Sequence, residues 1–228
     1  SGAEGLGACL VAVGGYGRVD LTAGSALDLL LVLPDRVDPS DARVAEVVDR
    51  LWYPVWDSGV PVDHSVRTPA EVRRAAAQDI RVILGLLDAR PIAGDIPLGE
   101  RVASAILADW RALARTRLDE VRSSVEARRA RQGDAAHLLE PNLKESYGGL
   151  RDAGILDAVA ASWVTDVPRE GLDEVRSSLL DVRDSLHDCA LEEGRRPSDV
   201  LRTQDQEDVA RRLGLDGRDA MLRELGEA

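Results

Sequence analysis

A chain of 228 residues that is 44% hydrophobic and 31% charged is long enough to bury a core without disulfide staples and too apolar to remain disordered. With 29 basic against 41 acidic residues the net charge is −12, which disfavours a nucleic-acid partner, because binding to a phosphate backbone needs clustered cations. No apolar run approaches a membrane span, the first residues carry no signal-peptide pattern, and two cysteines make no framework, so the expectation is no membrane and a reduced, cytoplasmic setting.

In chain order, residues 8–13 are a short apolar run ending at Gly14-Gly15, the pattern of a buried strand entering a tight loop. A second strand is predicted over 27–33 and is stopped by Pro34. Val44, Val47, Val48, Leu51 and Trp52 recur at helical spacing over 41–53, with Ser40 as the expected N-cap. Residues 60–67 read as a strand. Thr68-Pro69-Ala70-Glu71 then opens a helix with a capping box and proline at its first position, expected to run to about Leu87.

From about residue 100 the strand signals stop. One long amphipathic helix is predicted over 100–132, then a loop around 138–150, then helices near 152–164, 171–192, 205–213 and 217–225. Trp52, Trp56, Trp110 and Trp163 fall within apolar helical spacing and are expected in the core. Arg128, Arg129 and Arg131 read as a solvated helix end, favourable beside the negative pole of the helix dipole. The layout predicts an α/β domain over 1–97 and a helical domain over 98–228. A first strand that starts by residue 8 and a last helix cut without a cap have the look of a fragment.

The chemistry is concentrated in Val13-Gly14-Gly15-Tyr16-Gly17-Arg18 and in Gly24-Ser25-Ala26-Leu27-Asp28. No Gly-Lys-Ser/Thr closes the first segment, so it is not a Walker A loop. A strand rather than a helix follows, so it is not a dinucleotide-binding fingerprint. A glycine pair lets backbone N–H groups come close to triphosphate oxygens. Carboxylates at alternate positions of a strand share one face, from which they can hold two Mg²⁺ ions near an α-phosphate. Asp28 in an otherwise apolar strand is costly unless paired or coordinated, which makes it a candidate ligand. Asp63 is the candidate for a further carboxylate, with Asp20 as an alternative that could equally cap a turn. His64 reads as a core or hydrogen-bonding residue before a ligand, and Arg18 as a triphosphate contact or a solvated cation. Lys144 is the only lysine, in a polar loop rich in glycine that opens a helix, where Asp152 could serve as a cap.

This layout resembles the polymerase-β-type nucleotidyltransferases, and four ordered blocks bring the likeness closer: GGYGR at 14–18, GSALDLLLV at 24–32, HSVRT at 64–68 and LEPNLKESYGGLRD at 139–152. LWYPVWD at 51–57 and LLDARPIAGD at 86–95 extend it. The chain is similar to the bacterial bifunctional PII uridylyltransferase/uridylyl-removing enzymes. The resemblance implies a polymerase-β-like α/β core with a mixed sheet followed by an all-α domain. It implies Mg²⁺-dependent transfer of UMP from UTP, or of AMP from ATP in actinobacterial-type members, to a tyrosine of the PII signal protein. It implies Gly14, Gly15, Arg18, Ser25, Lys144 and Arg151 for the nucleotide, and Asp28 and Asp63 for metal and catalysis. An Arg-rich composition and Asp63 lean toward the actinobacterial branch.

The family pattern Ser-Asp-x-Asp is Ser25-Ala26-Leu27-Asp28 here, so the first metal carboxylate is missing and the chain is expected to be inactivated. Complete family members also carry a hydrolytic HD domain and ACT domains, of which the sequence has no trace. His187-Asp188 is an HD dipeptide within a helical pattern that lacks the other ligands. Two rivals stand beside the transferase: a non-catalytic nucleotide-binding module, suggested by Ala26, and a relative of glutamine synthetase adenylyltransferase, against which the LEPNLKES and HSVRT blocks argue.

Overall fold

A computed structural model describes residues 6–167 and 171–227. The chain packs as two compact units. One takes the residues up to Leu21 together with Ser25–Leu113, and the other takes Thr22–Gly24 together with the chain from Ala114. The division falls inside the helix Ile96–Gln132, between Leu113 and Ala114.

The first unit is built on a four-stranded sheet: β1 (Cys9–Ala12), β2 (Leu27–Val32), β3 (Val62–Arg67) and β4 (Arg90–Gly94), in the order β3-β2-β1-β4. β1 runs antiparallel to β2 and β4, while β2 and β3 are parallel, so the sheet is mixed. β4 carries Pro91 and small residues that hide its alternation, and the sequence reading passed over it. Side chains alternate along a strand. Leu29 and Leu31 of β2 pack with Ala8, Leu33, Val44 and Trp52, joined by Val62 and Val66 of β3. That leaves Asp28 and Asp63 on the opposite face.

The helix Ala42–Asp57 is capped by Asp41, which accepts from the Arg43 N–H at 2.9 Å, and not by Ser40, whose hydroxyl instead donates to Asp38 at 2.7 Å. The capping box at Thr68 and Glu71 forms as the sequence predicts. Its helix ends at Gln78 rather than near residue 87. Asp79 turns to extended backbone and accepts from the Arg81 N–H at 2.8 Å, starting a separate helix, Ile80–Leu86. Of the four tryptophans, Trp52 and Trp110 are fully buried, whereas Trp56 is 46% and Trp163 75% exposed. Trp163 is the left-handed C-cap of the helix Leu150–Ser162, a position that leaves the apolar stripe, so helical spacing misassigned it.

The helices Leu150–Ser162, Leu172–Glu192, Thr203–Arg212 and Arg218–Glu227 make up the second unit with the later turns of Ile96–Gln132. Its core gathers Leu143, Leu150, Leu179, Val182, Leu186, Leu201, Val209 and Met221. Among the described residues no helix is long and apolar enough to cross a membrane. Arg128 corrects the reading of a solvated helix end. It is 4% exposed, donates to the Glu145 carbonyl at 2.9 Å and pairs with Asp152, tying the 140–150 loop to the long helix. Arg128→Met should lower unfolding stability by about 2–3 kcal/mol, because it strands a carbonyl and a half-buried carboxylate. Urea unfolding of both chains measures the difference.

Candidate active site

β1 leads into a single helical turn, Gly14–Gly17. The Val13 N–H donates to the Asp28 carbonyl at 3.0 Å, which sets this turn beside the start of β2. Gly14 has φ +54°, and a Cβ there would lie 3.2 Å from Oδ2 of Asp28. The left-handed backbone favours glycine, and the missing Cβ lets the Asp28 carboxylate lie against the turn without shifting. The first N–H groups of a helical turn have no acceptor within it, so Gly14, Gly15 and Tyr16 carry donors that the turn does not use, and Gly14 adjoins Asp28. Val19, at φ 68°, is a β-branched residue in left-handed backbone, a strain of about 1–2 kcal/mol that loops near functional sites often carry.

Arg18 does not stand free over this turn. Its Nε donates to Asp20 at 2.7 Å and its Nη1 pairs with Asp88. Arg90, from β4, donates to the Gly17 carbonyl at 3.1 Å and the Tyr16 carbonyl at 3.0 Å, and its guanidinium lies 5.6 Å from the Tyr16 ring centre. The glycine turn is therefore clamped from its C-terminal side by Arg90 and the Arg18–Asp88 pair.

Asp28 and Asp63 are direct register partners across the parallel β2–β3 pair, so their side chains leave the same face of adjacent strands. Asp28 is half-buried and Asp63 exposed. Ser25 is half-buried and Ala26 exposed, immediately before β2. His64, next to Asp63, points to the other face, with its ring 4.7 Å from Trp52 and 5.6 Å from Trp56 between centroids. It is a packing residue, as its sequence context suggested. Among the described residues no cluster of three or more His, Cys, Asp or Glu is placed to hold a metal. The carboxylates at hand are the Asp28–Asp63 pair.

In the helical unit the loop before Leu150 is folded tightly on itself. Asn142 Oδ1 accepts from the N–H groups of Lys144 at 3.0 Å and Glu145 at 2.8 Å, and Ser146 Oγ accepts from the Asn142 N–H at 3.0 Å. Arg151 pairs with Glu145, its Nη2 at 2.6 Å. Asp152, in the first turn of the helix Leu150–Ser162, reaches back to accept from the Gly148 N–H at 2.8 Å, while the N-cap itself is Gly149, which has no side-chain cap bond, so Asp152 is not the cap. Lys144 is half-buried and its charge acts on Asp199. Burial by itself raises the Asp199 carboxyl, but the His187 hydrogen bond, the charge and hydrogen bond of Arg183 and the Lys144 charge outweigh it and hold Asp199 well below the usual carboxylate range.

A depressed folded-state value means that Asp199 contributes stability above its unfolded pKa of about 4, and that this contribution is lost as pH falls below it. Asp199→Asn should therefore show a shallower loss of stability between about pH 5 and pH 3 than the parent chain. Denaturant midpoints across that range are the check.

A family model described as GlnD PII-uridylyltransferase matches residues 113–160. A bifunctional uridylyltransferase/uridylyl-removing enzyme of Streptomyces coelicolor is 55% identical over 99% of this chain and 26% of its own length. Proteins of the same name from Mycobacterium tuberculosis and Corynebacterium glutamicum are 38% and 36% identical, over 99% and 97% of this chain and 28% and 30% of theirs. This chain belongs to the bifunctional uridylyltransferase/uridylyl-removing enzyme family. It spans between a quarter and a third of the length of these relatives.

Within that family frame, the α/β unit holds Gly14, Gly15, Arg18, Ser25, Asp28 and Asp63, and the helical unit holds Lys144 and Arg151. Gly14 and Asp28 adjoin, and Asp28 and Asp63 are in register. Arg18 and Arg151 are each engaged by carboxylates of their own unit. Sequence reasoning missed Arg90, Asp88 and Gly17, which shape the glycine turn. The signal for them lies in the block LLDARPIAGD, which carries Asp88 and Arg90.

Proposed function

We propose that this chain is the nucleotidyltransferase portion of a PII-modifying enzyme, with a polymerase-β-like core that moves UMP from UTP to a tyrosine of PII. In this reaction the phenolic oxygen takes the α-phosphorus and pyrophosphate leaves. The reading is carried by one observation, the glycine turn set against Asp28 with Asp63 in register beside it. The relatives' shared name supports uridylyl over adenylyl as the group transferred. The acidic net charge argues against a polynucleotide acceptor.

In this reading the N–H groups of Gly14 and Gly15 bind triphosphate oxygens, and Ser25 borders the same turn. Lys144 supplies a compact point charge suited to the β- and γ-phosphates. Arg18 and Arg151 act on the nucleotide by exchanging their present carboxylate partners for phosphate. Mg²⁺ commonly takes one or two carboxylates, substrate phosphates and several waters, and the Asp28–Asp63 pair fits such an ion. When bound, the ion would offset charge at the α-phosphate. Ala26 leaves the strand one carboxylate short, so transfer is slow while nucleotide binding persists. Two buried, unbridged cysteines, Cys9 and Cys189, agree with a cytoplasmic enzyme.

The test is mass spectrometry of PII after incubation with this chain carrying Ala26→Asp, Mg²⁺ and either UTP or ATP. Added UMP supports the proposal, added AMP reassigns the donor, and no added mass with either nucleotide overturns the transferase reading.

A further inference from the structure

Three residues of the N-terminal half, Thr22–Gly24, pack with the helical unit. Thr22 Oγ1 lies 2.7 Å from Nδ1 of His187, and His187 Nε2 lies 3.0 Å from Oδ1 of Asp199. Arg183 Nε donates to the same Asp199 oxygen at 2.7 Å. His187 is 2% exposed and Arg183 6% exposed, so the network is buried at that end. The Asp199 carbonyl in turn accepts from the Leu143 N–H at 2.8 Å, beside Lys144. A Cβ on Gly24 would come within 2.3 Å of Pro197 and 2.8 Å of His187 Nδ1, so only glycine lets the chain pass this close.

Both ring nitrogens of His187 are thus engaged. With Nε2–H donated to Asp199, Nδ1 accepts the Thr22 hydroxyl; with both nitrogens protonated, the hydroxyl accepts instead. Either state holds Thr22. A buried polar chain of this kind is not the most stable filling for a helix core, where an apolar side chain of similar volume does as well or better. What it adds is direction: a hydrogen bond helps to fix the course of a segment that ends in glycine. Ser25 follows that segment at once, and Ala26 and Asp28 follow Ser25.

We propose that His187, fixed by Asp199 and Arg183, is a positioning residue for the nucleotide site, holding Thr22–Gly24 so that Ser25 enters β2 in one conformation. This rests on the transferase reading above. It also gives the His187-Asp188 dipeptide a role that is not metal ligation.

Thr22 offers the cleanest test, in the chain carrying Ala26→Asp. Thr22→Val removes the hydroxyl at nearly constant volume, and Thr22→Ser restores it. Two readouts are needed: amide hydrogen exchange over residues 22–27, and single-turnover labelling of PII at saturating UTP. With valine, exchange at positions 25 and 26 should quicken and the transfer rate should fall about tenfold. The melting temperature should fall by only a few degrees, ~2–4 °C for about 1 kcal/mol from the buried His187 nitrogen left without its partner, so the chain stays folded at the assay temperature. Serine should bring both readouts back to within about twofold. Parental exchange and rate in the valine variant overturn the proposal, as does a serine variant that fails to recover. If the Thr22 parent does not label PII at all, the transferase reading fails, and the exchange data still decide whether His187 positions the segment.

Discussion

Replacing Ala26 by aspartate should raise the rate of transfer to PII by at least about 100-fold, roughly 2.7 kcal/mol of transition-state stabilisation. Ala26 is exposed and stands two residues before Asp28, so extended backbone carries both positions to one face. The Leu27 N–H already bonds to the Pro61 carbonyl at 2.8 Å, which keeps that stretch aligned with the start of β3 and with Asp63. A third carboxylate there would complete a set able to hold two metal ions, and ions help most where charge develops in the transition state. Binding of UTP should change much less, because the N–H groups of the Gly14–Gly17 turn do not depend on residue 26. Single-turnover labelling at matched enzyme concentration, with calorimetry of UTP alongside, separates the two effects. Equal rates for the two chains would remove Asp28 and residue 26 from the metal assignment. Asp20 would then be the next carboxylate to test, although it is held by Arg18 at 2.7 Å. Nucleotide binding without labelling in both chains would favour a non-catalytic module.

Gly17→Ala should lower the stability of the α/β unit by at least about 3 kcal/mol. A Cβ at Gly17 would sit 1.9 Å from the Asp88 carbonyl oxygen and 3.1 Å from that of Ala12. Both are backbone atoms, so no side-chain rotation relieves the clash. The Gly14–Gly17 turn would have to lift from residues 86–90, breaking the Arg90 bonds to the Tyr16 and Gly17 carbonyls and shifting Gly14 relative to Asp28. Gly15→Ala is the control, since a Cβ there meets nothing within 4 Å. Urea midpoints should fall steeply for Gly17→Ala and little for Gly15→Ala. If the two fall alike, Gly17 is not the residue that seats the turn.

The strands and helices that follow from local chemistry were legible in the sequence. The apolar runs of β1 and β2, the capping box at Thr68 and the long helical periodicity up to Gln132 depend only on neighbours in the chain. So did the choice of the Gly14-Gly15 pair and Asp28, because a glycine pair before a strand with a lone aspartate needs no distant contact to be noticed. The break at Asp79 was missed, although it is local, because helical apolar spacing continues across it.

What depended on distant parts of the chain was decided by tertiary structure alone. β4 has little strand character of its own and is ordered by pairing with β1. Arg128 looked like a solvated cation until the loop 17 residues further on supplied the Glu145 carbonyl. Trp163 kept its helical spacing but lost its burial, since the backbone turns left-handed there. Gly17 and Arg90 are 73 residues apart, and their contact fixes the turn that the glycine pair only permits. Sequence periodicity records which face of an element is apolar. It cannot record which backbone atom another segment brings to within a few ångströms, and at this turn those atoms set the geometry.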